Sequence, residues 1–251
     1  MADNSIVVAL SDRGGREENQ DAWGLARTAD GSLVLALADG LGGHMGGRVA
    51  SQKAVSASLN FLFEDTNINK DSIIKAFELA DNEIFSSQKD ELYNMCSTLT
   101  LAIIKENQLI WGYVGDSRLY LLRDNKVHFQ TLDHTIAQVL VASGEINAAD
   151  IRGCPDRNIL TKALGRSEPE ARPTMGSEEN LRAYDTLVLA TDGFWEWIDE
   201  EQLKTLVFTT SEEFKPTILR KKLRTLEDDL KNIAKFNKND YDNYSAVIFT
   251  K

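Results

Sequence analysis

The sequence predicts an α+β fold, in which antiparallel β-sheets are covered by helices drawn from other parts of the chain. The first observation is a series of apolar segments between residues 97 and 130, interrupted at Asn107 and at Asp124-Asn125, residue types that favour tight turns. This pattern predicts an antiparallel meander rather than alternating β-α-β units. The second observation is that helical patterns lie outside this stretch, which favours sheets covered by separate helices.

Short segments rich in Val, Ile and Leu are predicted to be strands. They comprise residues 6–10, 33–38, 99–104, 109–114, 119–122, 186–190 and 246–249. Helices are predicted where apolar residues recur at helical spacing. These positions are Ile73, Phe77, Ala80 and Ile84, then Leu219, Leu223, Leu226, Leu230 and Ile233, with a third helix over residues 49–63. The apolar stripes are expected to face the core.

Length, charge and cysteine content restrict the class of protein. The 251 residues, 42% of them hydrophobic and 27% charged, predict one globular domain. The formal net charge of −11 predicts a surface that repels nucleic acid and anionic membranes. Apolar runs are too short to span a bilayer and no secretory signal is visible, so a cytoplasmic protein is expected. Cys96 and Cys154 indicate neither a disulfide framework nor a zinc site.

Aspartates recur at the ends of predicted strands. Asp39-Gly40 and Asp192-Gly193 each follow a strand rich in Leu and Val, and the glycine lets the backbone turn. Asp116 follows a third strand, Asp242 stands immediately before the last one, and Asp21 opens the second. Taken singly, an Asp-Gly pair is more often a turn than a ligand. The repetition, without an obvious matching set of buried arginines, favours a shared cation site.

The side-chain types narrow the choice of cation. An unpaired carboxylate beside an apolar strand has a large desolvation cost, which a metal ion offsets. Carboxylates, backbone carbonyls and water suit magnesium, manganese or calcium, whereas the three histidines, His44, His128 and His134, are scattered. Zinc is therefore disfavoured. One aspartate can bridge two ions roughly 3.5–4 Å apart and help activate a water molecule for attack on phosphorus.

A set of motifs resembles the metal-dependent protein phosphatases, the PPM or type 2C family. In chain order they are residues 16–21 (REENQD), 38–44 (ADGLGGH), 97–100 (STLT), 114–118 (VGDSR), 133–135 (DHT), 190–196 (ATDGFWE) and 242–243 (DN). They cover nearly the whole chain, and the compact size resembles the bacterial branch. A single Asp-Gly is weak support, whereas the ordered set is very specific.

The resemblance implies both a fold and an activity. The family fold is a sandwich of two mostly antiparallel β-sheets flanked by helices on both faces, in α-β-β-α layers. Residues 1–251 would form a single phosphatase domain with a variable flap at about residues 135–158. The implied activity is hydrolysis of phosphoserine and phosphothreonine in proteins at a binuclear, or trinuclear, Mg²⁺ or Mn²⁺ centre. The substrates would be phosphorylated proteins made by a cognate serine/threonine kinase, and a monomer is expected.

The same resemblance assigns metal ligands residue by residue. Asp39 would bridge the two core ions, and Gly40 would offer its backbone carbonyl to one of them. Asp192 and Asp242 would complete the other site. Asp116, together with Asp192, would hold a weaker third ion.

Two further assignments, and three departures from the family pattern, concern the reaction. Asp21 would hold the attacking water directly or through a metal-bound water, and Arg16 would grip the substrate phosphate, which suits a planar guanidinium. Leu41 occupies the position of a histidine proposed elsewhere as the acid, so water is expected to protonate the leaving group. Gln20 stands where many relatives have glutamate, and Cys154 where bacterial relatives often have histidine.

Two other functions and one other chemistry compete with this interpretation. A catalytically silent regulatory binding module usually lacks the metal aspartates or the arginine, which this chain retains. A metal-dependent nuclease or phosphodiesterase predicts a basic surface, which the net charge opposes. Ser97 and Thr98 are not paired with a base in any motif, so a structural role is expected for both rather than nucleophilic catalysis. His44 is expected to support the glycine-rich loop.

Overall fold

The computed structural model describes residues 5–42, 46–89, 94–166, 172–207, 216–236 and 241–251. The chain divides into two compact units, each built around one antiparallel sheet. The five-stranded unit comprises residues 1–19, 118–131 and 181–251, and the seven-stranded unit comprises residues 20–117 and 132–180. Among the described residues no helix is long and apolar enough to cross a membrane.

The elements alternate between the two units along the chain. The strands are β1 (Ile6–Asp12), β2 (Asp21–Arg27), β3 (Leu33–Leu41), β4 (Cys96–Ser97), β5 (Leu99–Lys105), β6 (Gln108–Val114), β7 (Arg118–Arg123), β8 (Lys126–Gln130), β9 (Thr174–Met175), β10 (Glu179–Asn180), β11 (Thr186–Ala190) and β12 (Tyr244–Thr250). The helices are α1 (Gly46–Glu64), α2 (Lys70–Ser86), α3 (Ile136–Ser143), α4 (Asp192–Trp195), α5 (Glu200–Val207) and α6 (Pro216–Phe236), with a 3₁₀ turn at Ala148–Gly153.

The five-stranded unit has strand order β1-β12-β11-β7-β8, with every neighbouring pair antiparallel. Strands β7, β11 and β12 are buried along their whole length, in keeping with the apolar residues that make up most of their sequences. A buried ion pair joins the ends of β7 and β11, because Arg123 donates from Nη2 to Asp185 Oδ2 at 2.6 Å and from Nε to Oδ1 at 3.0 Å. The paired charges make burial of both side chains tolerable.

The seven-stranded unit has the order β10-β6-β5-β3-β2, with β4 pairing to the end of β3 and β9 pairing to β6. Alternate residues of β3 pack with α1 and α2 in one core cluster, which includes Val34, Ala36, Ala54 and Phe77. Helix α2 begins with a capping box, in which Asn69 Oδ1 accepts from two backbone N–H groups of the first turn. This helix layer fixes β3, and with it the strand end that carries Asp39.

The predicted strand segments lie within β1, β3, β5, β6, β7, β11 and β12, and the three predicted helices lie within α1, α2 and α6. The predicted turn at Asp124-Asn125 is confirmed, since both residues have positive φ angles, 51° and 59°. The single meander over residues 97–130 is wrong. Strands β5 and β6 pair in one sheet and β7 and β8 in the other, because the chain leaves the first sheet at Gly115, where φ is +101°.

Candidate functional site

Two of the predicted carboxylates face each other in the seven-stranded unit. Asp21 on β2 and Asp39 on β3 are direct antiparallel partners, so their Cβ atoms lie about 4.5–5.5 Å apart on the same face of the sheet. Asp21 is buried and Asp39 half-buried. Like charges directly opposite each other destabilise a sheet, and a cation between them removes that penalty. The pair is therefore suited to hold a divalent ion.

The backbone around Gly40 packs too tightly for any side chain. A Cβ on Gly40 would lie 1.9 Å from the Gly47 carbonyl oxygen, and a Cβ on Gly47 would lie 2.5 Å from the Gly40 carbonyl oxygen. The Gln20 carbonyl accepts from the Gly40 N–H at 3.2 Å and from the Ser51 hydroxyl at 2.5 Å. The start of α1 is thus fastened to the strand end that carries Asp39. Carbonyl oxygens lie beside the carboxylate pair, and this all-oxygen donor set suits Mg²⁺ or Mn²⁺.

The backbone of Asp39 is held by two hydroxyl residues on the opposite strand. The Asp39 N–H donates to Thr98 Oγ1 at 2.8 Å, and the Asp39 carbonyl accepts from the Thr98 N–H at 2.8 Å and from Ser97 Oγ at 2.9 Å. All three residues lie at the end of β3 or in the segment facing it. The structural role predicted for Ser97 and Thr98 agrees with these contacts.

Asp116 is buried in the turn after β6, and His134 supports that turn from the side. The Gly115 N–H donates to His134 Nδ1 at 2.9 Å, and the Gly115 carbonyl accepts from the His134 N–H at 3.0 Å. The imidazole stacks on Tyr113 with the ring centroids 4.8 Å apart. Burial, with a smaller contribution from nearby Lys162, lowers the pKa of His134 from 6.5 to about 4. The imidazole is therefore neutral at physiological pH, with Nδ1 as the acceptor.

In the five-stranded unit, Asp192 and Asp242 lie at the corresponding ends of adjacent strands. Asp192 begins α4 directly after β11, and Asp242 precedes β12, which pairs with β11. A Cβ on Gly193 would lie 2.1 Å from the Asn243 carbonyl oxygen and 3.3 Å from Asp242 Cβ, so the two segments touch. The Tyr241 hydroxyl donates to the Gly193 carbonyl at 3.0 Å and locks the contact.

Arg16 binds Asp242 through a two-pronged ion pair. Arg16 Nε donates to Asp242 Oδ1 at 3.0 Å and Nη2 donates to Oδ2 at 2.9 Å. The loop carrying Arg16 is fastened by Asn243, whose Nδ2 donates to the carbonyls of Arg13 and Glu18, each at 2.8 Å. The family resemblance assigns Arg16 to phosphate and Asp242 to a metal ion, and the structure joins the two side chains to each other.

The predicted site residues thus form a group within each unit. Asp21, Asp39 and Gly40 lie together in the seven-stranded unit, and Asp116 is connected to them through Thr98, which also contacts Ser117 at 2.8 Å. Arg16, Asp192 and Asp242 lie together in the five-stranded unit. Within the described ranges no three His, Cys, Asp or Glu side chains are already arranged as a metal site, so the carbonyls and water would have to supply further ligands.

Of three further positions singled out in the sequence, the structure describes two, Leu41 and Cys154. Leu41 is half-buried at the end of β3, opposite Cys96, and its hydrocarbon side chain has no proton to donate. Cys154 is buried after the 3₁₀ turn of the proposed flap. His44 lies outside the described residues.

Apart from the structural role expected for Thr98, sequence interpretation missed the neutral residues that support the carboxylates. The amide of Asn243 bonds to the loop that carries Arg16, and the Tyr241 hydroxyl bonds to Gly193 beside Asp192. The Thr98 hydroxyl bonds to the Asp39 N–H and to the Ser117 hydroxyl. Asn243, Thr98 and Ser117 stand inside the quoted motifs. Their presence there was the available signal.

Comparison with known proteins places these features in a family. A family model described as protein phosphatase 2C matches residues 11–229. Protein phosphatase PhpP of Streptococcus pneumoniae is 31% identical over 198 residues, which is 76% of this chain and 79% of that protein.

Solved structures agree with that match. The serine/threonine phosphatase of S. agalactiae superimposes with a TM-score of 0.83 at 26% identity, covering 98% of this chain and 99% of that chain. The catalytic domain of the phosphatase PstP, solved in complex with two manganese ions, has a TM-score of 0.78 at 26% identity, covering 98% of this chain and 97% of that chain. The predicted α+β class, with two antiparallel sheets and helices, is confirmed. The chain belongs to the protein phosphatase 2C family.

Proposed function

We propose that this chain hydrolyses phosphoserine and phosphothreonine in phosphorylated proteins, using a water molecule activated at a Mg²⁺ or Mn²⁺ centre. The observation that carries the proposal is the facing pair Asp21 and Asp39, beside the tightly packed backbone of Gly40. Membership of the protein phosphatase 2C family supports the reaction class. When bound, two such ions lower the pKa of a water molecule and stabilise negative charge on phosphoryl oxygens.

In the seven-stranded unit, Asp39 would serve both core ions and Gly40 would offer its carbonyl to one of them. Asp21, one strand away, orients the attacking water and accepts its proton. The hydrogen bonds between the Asp39 backbone and Thr98 hold the strand end that carries this carboxylate. Asp116 is proposed as a ligand of a weaker third ion.

In the five-stranded unit, Asp192 and Asp242 are the proposed metal ligands and Arg16 binds the phosphate. Because the ion pair between Arg16 and Asp242 is exposed, with side-chain exposures of 52% and 40%, it contributes only about 0–1 kcal/mol. Exchange of this contact for a cation on Asp242 and a phosphate on Arg16 therefore costs little. Two phosphate oxygens would take the place of the two carboxylate oxygens on the same guanidinium edge.

The leaving alcohol needs a proton that Leu41 cannot supply. His134 is also unsuited, since Nδ1 accepts a hydrogen bond from Gly115 and burial keeps the pKa of the ring near 4. Water is therefore the proposed acid. If water is the acid, replacing any histidine among the described residues should have little effect on protonation of the leaving group.

The decisive experiment measures phosphate release from a phosphothreonine peptide. We expect release with Mg²⁺ or Mn²⁺, abolition by EDTA, and recovery when either metal is restored. Asp39→Asn serves as the inactive control. Manganese binding without any hydrolysis of several phosphopeptides would favour a regulatory binding module instead.

Several properties of the protein stay predictions. A cognate serine/threonine kinase would be identified by the substrates whose phosphorylation rises when the phosphatase is deleted. A monomeric state is tested by light scattering, and a cytoplasmic location by cell fractionation. The expected single domain includes a flap at about residues 135–158. This segment contains α3 and the 3₁₀ turn, and its deletion would test its part in substrate selection.

A further inference from the structure

Thr98 lies between β4 and β5, where the backbone hydrogen bonds that pair these strands with β3 are interrupted. The pairs Leu37–Thr100 and Gly40–Ser97 place Thr98 directly opposite Asp39. In a regular antiparallel pair, the Asp39 N–H would donate to the Thr98 carbonyl. It donates instead to the Thr98 hydroxyl at 2.8 Å, while the Thr98 carbonyl accepts from Ser97 Oγ at 2.8 Å. A side chain therefore replaces a main-chain acceptor at Asp39.

The same threonine contacts both neighbours of Asp116. Its hydroxyl lies 2.8 Å from Ser117 Oγ, and because it already accepts from the Asp39 N–H, its own proton can be donated to Ser117. Its methyl group packs on Gly115, where an added Cβ would lie 2.5 Å from Thr98 Cγ2. Thr98 and Ser117 are both buried, so bulk water cannot replace these bonds if they are lost.

We infer that Thr98 is a positioning residue, whose hydroxyl holds the strand end at Asp39 and the turn at Asp116 in a fixed relation. The inference rests on the proposed function, in which both aspartates are metal ligands. Hydrogen-bonding residues that orient ligands typically change metal affinity or activity by 10–100-fold when they are replaced. Thr98 differs from such residues only in acting through the backbone at Asp39 and through the residues on either side of Asp116.

The first test compares Thr98→Val with Thr98→Ser. Valine keeps the shape and removes the hydroxyl, whereas serine keeps the hydroxyl and removes the methyl group. We expect Thr98→Val to weaken Mn²⁺ binding, measured by calorimetry, by about tenfold, and Thr98→Ser to stay within about twofold of the wild-type affinity. Rescue by serine would assign the loss to the hydroxyl rather than to the packing of the methyl group.

Thr100→Val is the matched control. Thr100 is a buried threonine on the same strand segment, and its hydroxyl donates to the Ser117 carbonyl at 3.0 Å without a hydrogen bond to Asp39. Because Thr100→Val keeps the Thr98 hydroxyl between Asp39 and Ser117, it should lower thermal stability about as much as Thr98→Val, yet weaken Mn²⁺ binding much less. Equal losses of Mn²⁺ affinity in both valine variants would overturn the inference.

A second readout needs no metal. Amide hydrogen exchange in EDTA should become faster at both Asp39 and Ser117 in Thr98→Val, and at neither in Thr98→Ser. Unchanged exchange at either position would overturn the inference, even if the wild-type chain bound no Mn²⁺ and the proposed function failed. If Thr98→Val does not fold, Ser117→Ala decides. It should weaken Mn²⁺ binding relative to Thr100→Val while the Asp39 amide stays protected, and an affinity equal to that of Thr100→Val would refute the coupling.

Discussion

Replacing Arg16 by alanine separates the contribution of this side chain to the stability of the fold from its contribution to substrate binding. The guanidinium makes two hydrogen bonds to Asp242, at 3.0 and 2.9 Å, and the two side chains are 52% and 40% exposed. An exposed ion pair contributes about 0.2–1 kcal/mol. Arg16→Ala should therefore change the free energy of unfolding by no more than about 1 kcal/mol, as measured by denaturant titration.

The same substitution should have opposite effects on the two proposed ligands. Without Arg16, both oxygens of Asp242 lose their cationic partner, so Mn²⁺ affinity should stay the same or rise by at most about fivefold, the equivalent of the ion-pair energy. A phosphate group loses a charged hydrogen-bond donor, worth about 1.5–3 kcal/mol. The value of kcat/KM for a phosphothreonine peptide should therefore fall roughly tenfold to a hundredfold.

Arg13→Ala is the control for this prediction. Arg13 is exposed on the same loop, and within the part of the chain that the structure describes its Nη1 donates a long 3.4 Å hydrogen bond to the Glu17 carbonyl. Arg13→Ala removes the same charge as Arg16→Ala and should leave both Mn²⁺ affinity and kcat/KM within about twofold of the wild-type values. The reasoning would be refuted by a drop in Mn²⁺ affinity in Arg16→Ala with unchanged efficiency per bound metal, or by equal kinetic losses in the two variants.

Three other variants or conditions test the rest of the site. Asp39→Asn should abolish Mn²⁺ binding and hydrolysis together, yet raise thermal stability in EDTA by about 0.2–1 kcal/mol, because the like charge opposite Asp21 disappears; near-normal activity at saturating Mn²⁺ would contradict the bridging role. Asp116→Ala should keep two tightly bound metals and lose most activity on phosphopeptides but less on p-nitrophenyl phosphate, whose phenolate needs little acid assistance; equal losses on both substrates would remove that explanation. The pKa of His134 is about 4 in the folded chain and 6.5 when unfolded, so the unfolded state binds more protons between these values and stability should fall as pH drops from 6.5 to 4, with no contribution from this residue above 6.5. An NMR titration showing His134 protonating near pH 6.5 in the folded chain would exclude this.

Apolar patterning predicted most of the sheet and helix framework for a simple physical reason. Strands such as β11 and β12 are buried along their length, and most of their residues are apolar, although Thr186, Ser245 and Thr250 are buried polar residues. Strand β2 carries no such signal, because it alternates between exposed and half-buried positions and contains Gly24. A Cβ at Gly24 would lie 2.6 Å from the Leu59 Cδ1 atom of α1, so the Leu59 side chain would have to move. The sequence around β2 gives no signal of this close packing against α1.

The meander failed because local turn signals do not identify the sheet to which a strand belongs. Strands β6 and β7 are only three residues apart, yet they belong to different sheets. The positive φ of Gly115 and the bonds from His134 determine the direction of the chain at this point. His134 is 19 positions from Gly115, beyond the reach of any turn rule.

The proposed carboxylate ligands could be singled out from the sequence because a charge at the end of an apolar strand is energetically conspicuous. The neutral groups that hold these carboxylates give no such signal, since threonine and asparagine are common in any loop. Thr98 meets Ser117 across 19 positions, Tyr241 meets Gly193 across 48, and Asn243 meets Arg13 across 230. The chemistry of the proposed site thus follows from its charged residues, whereas its geometry depends on buried hydroxyls and amides. Replacement of these neutral residues should therefore alter metal and phosphate binding without changing the net charge of the protein.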